Sequence, residues 1–192
     1  VFDAFIPRED DDVSAAVKER LEEMGVTFEL GISVKKVETE NNKATVYYAK
    51  NDEEKVLVAD AVLVATGRKP NIQGLDLEKA GVELSERGAI KVNEFLQTNK
   101  PHIFALGDVN GGPQFTFISL DDFRIVKNFL AGNKEYSTKE RSLIPTSTFI
   151  SPTLSSVGLN EKAAQSAGIP VKVAKLPMAA VPKAKILKSF YL

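Results

Sequence analysis

The chain contains no cysteine. That absence excludes disulfides, thiolate zinc centres and thiol nucleophiles within these residues, so any thiol chemistry has to come from elsewhere. Histidine is nearly absent as well, occurring once at His102. No apolar run approaches the roughly 18 residues that a membrane helix needs, and no basic-then-apolar signal pattern opens the sequence. Neither sign of charge dominates, because 25 Lys and Arg stand against 26 Asp and Glu for a formal net charge of −1. Without a basic stripe, nucleic acid is not expected as a partner, and the cytoplasm is the expected compartment. What is present is ordinary: 192 residues, 43% of them hydrophobic, enough for one domain or two small ones with a real core.

The acidic run Glu9 to Asp12 precedes apolar residues at Val13, Ala16, Val17, Leu21 and Met24, with Gly25 beyond them. This one-face spacing predicts a helix whose dipole favours the carboxylates at its start and whose end suits the glycine. Short β-type segments follow at Val26–Leu30, Ile32–Glu38, Ala44–Ala49, Lys55–Val58 and Ala61–Ala65, separated by polar turns at Asn41-Asn42 and Asn51-Asp52. Ala61–Ala65 is apolar throughout, which predicts a strand buried on both faces of a parallel sheet. From Gly67 to about Glu94 the chain turns to loops rich in glycine, proline and asparagine, marking a domain crossing. Ile103–Leu106 reads as a second buried strand and Thr116–Ala131 as a helix. In the last third, Thr146–Ile150 and Val171–Leu176 read as strands flanking a helix at Glu161–Ala167 capped by Asn160.

Two places join a strand end to glycine. At Ala65-Thr66-Gly67 the missing side chain lets backbone approach a ligand closely, although a plain tight turn fits the spacing as well. At Gly107-Asp108-Val109-Asn110-Gly111-Gly112-Pro113 an aspartate stands at the carboxyl end of a predicted strand just before a helix, where open α/β sheets bind ligands. Its carboxylate can accept hydrogen bonds from sugar hydroxyls, and the helix start can stabilise negative charge; satisfying a turn is the alternative role. Neither place contains a G-x-G-x-x-G or a Walker loop.

In order along the chain, these segments resemble the pyridine nucleotide-disulfide oxidoreductases. Ala65-Thr66-Gly67-Arg68-Lys69-Pro70-Asn71 is similar to the family's A-T-G-R-x-P-N crossing from the NAD domain back to the FAD domain. Ile103–Asp108 is similar to its second FAD motif, and Ile144-Pro145 through Val157-Gly158 to the start of its dimerisation domain. Pro113–Phe117 and Leu176–Ala184 resemble a narrower branch, that of mercuric reductase and the RclA-like flavoproteins, which implies a metal ion, copper(II) among them, or a small oxidant as acceptor.

The resemblance implies an α/β fold of partial Rossmann-like domains followed by the start of an α+β dimerisation domain. The implied boundaries are 1–66 for the end of the NAD(P)-binding domain, 67–142 for the FAD-binding segment and 143–192 for the interface domain. It implies FAD and NAD(P)H as cofactors, a homodimer, and flavin contacts from Gly67, Arg68, Gly107, Asp108, Gln114, Phe115, Thr116 and Phe117, the Asp108 carboxylate holding the ribityl hydroxyls. It also places the redox C-x-x-x-x-C and both glycine loops before residue 1 and the His-Glu pair after Leu192. No catalytic or metal-ligating residue is then expected in the chain, which should be an internal piece unable to turn over. A non-catalytic binding or dimerisation module is the alternative. Asp3 reads as a loop residue and His102 as structural; Lys69 reads as a solvated loop charge, Phe115, Phe117, Phe123 and Phe129 as core packing, and Tyr47 and Tyr48 as sheet surface.

Overall fold

The structure, a computed structural model, describes residues 4–141 and 143–187. Its elements in chain order are α1 (Asp11–Glu23), β1 (Ile32–Glu40), β2 (Lys43–Lys50), β3 (Glu53–Ala59), α2 (Leu77–Ala80), α3 (Thr116–Leu130), β4 (Pro145–Thr148), β5 (Leu154–Val157), α4 (Glu161–Ser166) and α5 (Pro182–Leu187). They fall into two compact units. One is Ala65–Leu143; the other joins Val1–Val64 with Ile144–Leu192.

In the second of these units β1, β2 and β3 form an antiparallel meander. Both connections are two-residue turns at positive φ, 51° and 59° at Asn41-Asn42 and 51° and 64° at Asn51-Asp52. Asparagine and aspartate tolerate that conformation, whose twist matches the flanking strands. The turns set the register: Val37 faces Val46, which faces Leu57, and Thr39 faces Ala44, which faces Ala59. On β1 and β2 the Lys36 ammonium lies 4.3 Å from the centre of the Tyr47 ring and 2.8 Å from Glu38. The hydrogen bond from Lys36 holds the Glu38 carboxyl below its usual range.

The acidic run does more than favour the start of α1. Asp10 accepts hydrogen bonds at 3.0 Å from the backbone N–H groups of both Glu161 and Lys162. Asn160, as predicted, caps α4 locally by accepting from the Ala163 N–H at 2.9 Å, and its amide donates to the Arg8 carbonyl at 2.7 Å. Three of the orphan donors at the start of α4 are thereby satisfied, two of them by a residue about 150 positions away. Lys175 adds ion pairs to Asp12 at 2.6 Å and to Glu161 at 3.0 Å.

In Ala65–Leu143 the centre is Val82, Ile90 and Ala105, packed with Ile72, Leu77, Val92, Ile103 and Val109. Leu96, 2% exposed, sits at a φ of 66°, unusual for a bulky residue. Its burial and the turn around Asn93, whose side-chain oxygen accepts from the N–H groups of Phe95 and Gln97, hold it there. The buried face of α3 reads Ile118, Asp122, Ile125, the i, i+4, i+7 stripe of an amphipathic helix with a carboxylate in the middle.

Several strand expectations fail, and for one reason. Ala61–Ala65 is not a strand, and Leu63 and Val64 are 89% and 73% exposed. Val26–Leu30 and Val171–Leu176 are also irregular, and Ile103–Leu106 retains a single bridge, from Phe104 to Gln97. A strand exists through ladder hydrogen bonds, and among the described residues no neighbouring strand pairs with these segments. Local composition specified extended backbone, not a partner. The strand at Thr146–Ile150 stops at Thr148, and its partner β5 was not foreseen. Tyr48 is buried rather than on the surface, while Phe117 and Phe123 are exposed rather than core; Phe115 and Phe129 are half-buried, and the Phe129 ring centre lies 5.1 Å from that of Phe95 and 5.9 Å from that of Phe104.

Loss of the distant cap should be measurable. Asp10→Ala is expected to lower the stability of its unit by about 1 to 2 kcal/mol, read as a shift of the urea midpoint without a change of slope. An unchanged midpoint would show that water serves the α4 amides equally well.

Candidate functional site

Gly107 to Asn110 form one turn of 3-10 helix, and α3 begins six residues later at Thr116. The turn is held from below. Gly107 is buried at a φ of 71°, and its N–H donates to Asp122 Oδ2 at 2.7 Å. The amide of Asn110 donates to the same oxygen at 3.3 Å and to the Ala105 carbonyl at 3.2 Å, while its own oxygen accepts from the Gly112 N–H at 2.9 Å. A Cβ on Gly107 would lie 2.6 Å from Ser119 Oγ, so glycine is required there by space as well as by φ.

Asp122 is 1% exposed, and a buried carboxylate is tolerated only when paired and hydrogen-bonded. Its Oδ1 accepts from Arg141, whose Nε donates to Asp121 Oδ2 at 2.6 Å. The Tyr136 hydroxyl reaches both oxygens of Asp121 at 3.3 Å. Burial opposes the charge of Arg141, but the carboxylates of Asp122 and Asp121 outweigh it and hold the guanidinium above its ordinary range. Burial, with Asp121 beside it, pushes the Tyr136 phenol up.

Above this buried network the groups are open. Asp108 is exposed, and its carboxylate accepts no hydrogen bond from any described residue. Among the described residues the N–H groups of Thr116 and Phe117 have no backbone partner, the N-cap Phe115 supplies no side-chain acceptor, and the first turn of α3 has no acidic residue. Phe115 and Phe117 stack on each other, with centroids 5.3 Å apart and planes 15° apart. A helix of 15 residues with bare first-turn amides attracts negative charge, and an unpaired carboxylate nearby accepts hydrogen bonds from hydroxyls. The set suits a ligand carrying both sugar-type hydroxyls and an electron-rich edge.

Of the residues expected at the site, Gly107, Asp108, Gln114, Phe115, Thr116 and Phe117 lie on this one loop and helix start. Gly67 and Arg68 are exposed in the same unit, and among the described residues no hydrogen bond, ion pair or ring contact ties them to the loop. Lys69 and His102 are exposed too. Among the described residues no group of three or more His, Asp or Glu could hold a metal ion, and no helix is long and apolar enough to cross a membrane. Asp122, Asn110 and Arg141 were missed. The available signal was Asp122 itself, a carboxylate spaced four from Ile118 and three from Ile125 in an apolar stripe.

Residues 1–121 match the family described as pyridine nucleotide-disulphide oxidoreductase, and residues 144–190 match the dimerisation domain of the same family. The chain belongs to the pyridine nucleotide-disulphide oxidoreductases. It carries their Rossmann-like α/β fold with the start of the dimerisation domain. It is 41% identical over 183 residues to the probable oxidoreductase RclA of Escherichia coli, covering 95% of this chain and 41% of that protein. To the mercuric reductase of Staphylococcus aureus it is 40% identical over 177 residues, covering 92% and 32%. A solved Cu(II) complex of the HOCl-induced flavoprotein disulfide reductase RclA from E. coli superimposes with a TM-score of 0.90 at 38% identity, over 99% of this chain and 42% of that one. The chain therefore spans between about a third and two fifths of the length of these relatives.

The demand for glycine at 107 generates a test within this family segment. Gly107→Ala should destabilise Ala65–Leu143 by about 1 to 3 kcal/mol, since φ and the Ser119 hydroxyl both oppose a methyl group. Adding Ser119→Ala should recover part of that loss in thermal melts, because it removes the nearest atom but not the φ penalty.

Proposed function

We propose that this chain supplies the ribityl- and ring-edge-binding part of the FAD site of a flavoprotein that passes electrons from NAD(P)H to a disulfide, a metal ion or a small oxidant. The observation that carries the reading is the pairing of an unpartnered Asp108 carboxylate with the bare amides of Thr116 and Phe117 on a turn fastened to Asp122. Membership of the family supports it, as does the likeness to a flavoprotein reductase solved with Cu(II). FAD, when bound, supplies the hydride and electron chemistry. The residues of this chain bind and orient: Asp108 accepts from the ribityl hydroxyls, the Thr116 and Phe117 amides face the N1 and O2 edge, Gly107 lets the turn pack against Ser119 and Asp122, and Gln114 and Phe115 line the approach. Gly67 and Arg68 belong to the crossing between domains.

On this reading residues 1–66 close the NAD(P)-binding domain, 67–142 complete the FAD-binding domain and 143–192 open the dimerisation domain. The protein works as a cytoplasmic homodimer. With no cysteine in the sequence, the chain by itself does not turn over. A second reading is a non-catalytic binding or dimerisation module; the match of residues 144–190 to the dimerisation domain supports its dimerising part alone.

Three outcomes test the proposal. Asp108→Ala should weaken FAD binding roughly ten- to a hundredfold, the loss of one hydrogen bond to a charged group being about 1.5 to 3 kcal/mol; unchanged affinity sinks the assignment. Thr116→Pro removes one amide at a helix position that accepts proline and should lower the flavin reduction potential in the flavoprotein carrying this segment. The chain alone should bind FAD more weakly than micromolar and oxidise no NADH with copper(II) or a disulfide. Measurable turnover would overturn that last expectation.

A further inference from the structure

Asp122 is buried and meets no ligand atom in the flavin reading. A carboxylate inside the apolar stripe of α3 is costly unless its partners compensate it, and its partners are informative. One oxygen takes the Gly107 N–H and the Asn110 amide, so it grips both ends of the turn that displays Asp108. The other takes Arg141, which also holds Asp121. Arg141 stands close to the end of its unit, eleven residues beyond the last residue of α3. Asp121 and Asp122 together carry two negative charges against the one of Arg141, and Arg141 can satisfy both only because its guanidinium is a rigid fork with several donors.

The structure assigns Asp122 and Arg141 as positioning residues for the flavin site: by holding the Gly107 N–H from beneath, they fix the turn from which Asp108 reaches the ribityl chain. Neither residue touches the ligand. Their effect passes through Gly107 and appears at Asp108, and the assignment rests on the flavin reading above. A carboxylate that merely filled space in the core would destabilise the unit when changed, but it would not act on flavin through Asp108 in particular.

The test uses the 192-residue chain, labelled with ¹⁵N, as wild type, D108A, D122N, D108A/D122N and R141K. Gly107 amide exchange is measured without ligand, and FAD is titrated into the millimolar range by following amide shifts. D122N keeps the size of the side chain but turns one oxygen into a donor, which cannot serve both Gly107 and Arg141. It should speed Gly107 exchange about tenfold or more, as expected when a charge-assisted hydrogen bond is lost, while D108A leaves that exchange unchanged. D122N should weaken FAD binding roughly tenfold when Asp108 is present and less than about twofold in the D108A background, the non-additivity expected of residues acting as one unit. R141K, which retains the charge and loses the fork, should change both readouts in the same direction by less, and it carries the test if D122N does not fold. Equal weakening by D122N with and without Asp108 overturns the assignment. So does Gly107 exchange that neither D122N nor R141K alters. Equal FAD affinity of wild type and D108A overturns the flavin reading instead, and is recognised because D122N still speeds Gly107 exchange.

Discussion

A single buried carboxylate organises the Ala65–Leu143 unit. Asp122 lies in the inward stripe of α3 between Ile118 and Ile125, where an apolar residue would pack more simply. In exchange for its desolvation it collects the Gly107 N–H, the Asn110 amide and the Arg141 guanidinium. Those bonds tie a turn, a helix and the segment beyond the helix into one arrangement. An unpaired carboxylate at that depth would be strongly destabilising, so the geometry of the three partners is specified together. The open groups above, Asp108 and the first amides of α3, inherit their positions from it.

The two helix starts show the same electrostatics put to opposite ends. At α4 the free amides meet Asp10 and Asn160 and are fully served by the protein itself. At α3 the N-cap is Phe115, no acidic residue stands in the first turn, and the amides of Thr116 and Phe117 have no backbone partner among the described residues. A helix end costs free energy when its donors lack partners. The capped end joins two distant stretches of chain, whereas the bare end is the one suited to binding an electron-rich group.

Membership of the pyridine nucleotide-disulphide oxidoreductases gives these local arrangements a context. The similarity runs through nearly the whole chain, to RclA and to mercuric reductase alike, while spanning about two fifths of each relative or less. The unit that holds β1 to β3 also exposes apolar residues, Leu63 and Val64 among them. Isolated exposed apolar residues are ordinary, but a contiguous run such as Ala61–Val64 is not, and such surfaces invite contact with further protein.

Local chemistry determined much of this protein. The paired Asn and Asp turns, the amphipathic run of α1, the Asn160 cap and the length of α3 all depend on residues within a few positions of each other, and each was legible in the sequence. The position of Gly107 and Asp108 just ahead of α3 was legible too. Tertiary structure decided what needs a distant partner. Ala61–Ala65 and Val171–Leu176 have strand composition but no ladder, since pairing is a property of two segments and only one is written in either run. Asp10 became a cap for a helix about 150 residues away. Asp122 became the support of the Gly107 turn because folding brought a backbone amide and a guanidinium to one carboxylate, and no periodicity in the sequence encodes that meeting.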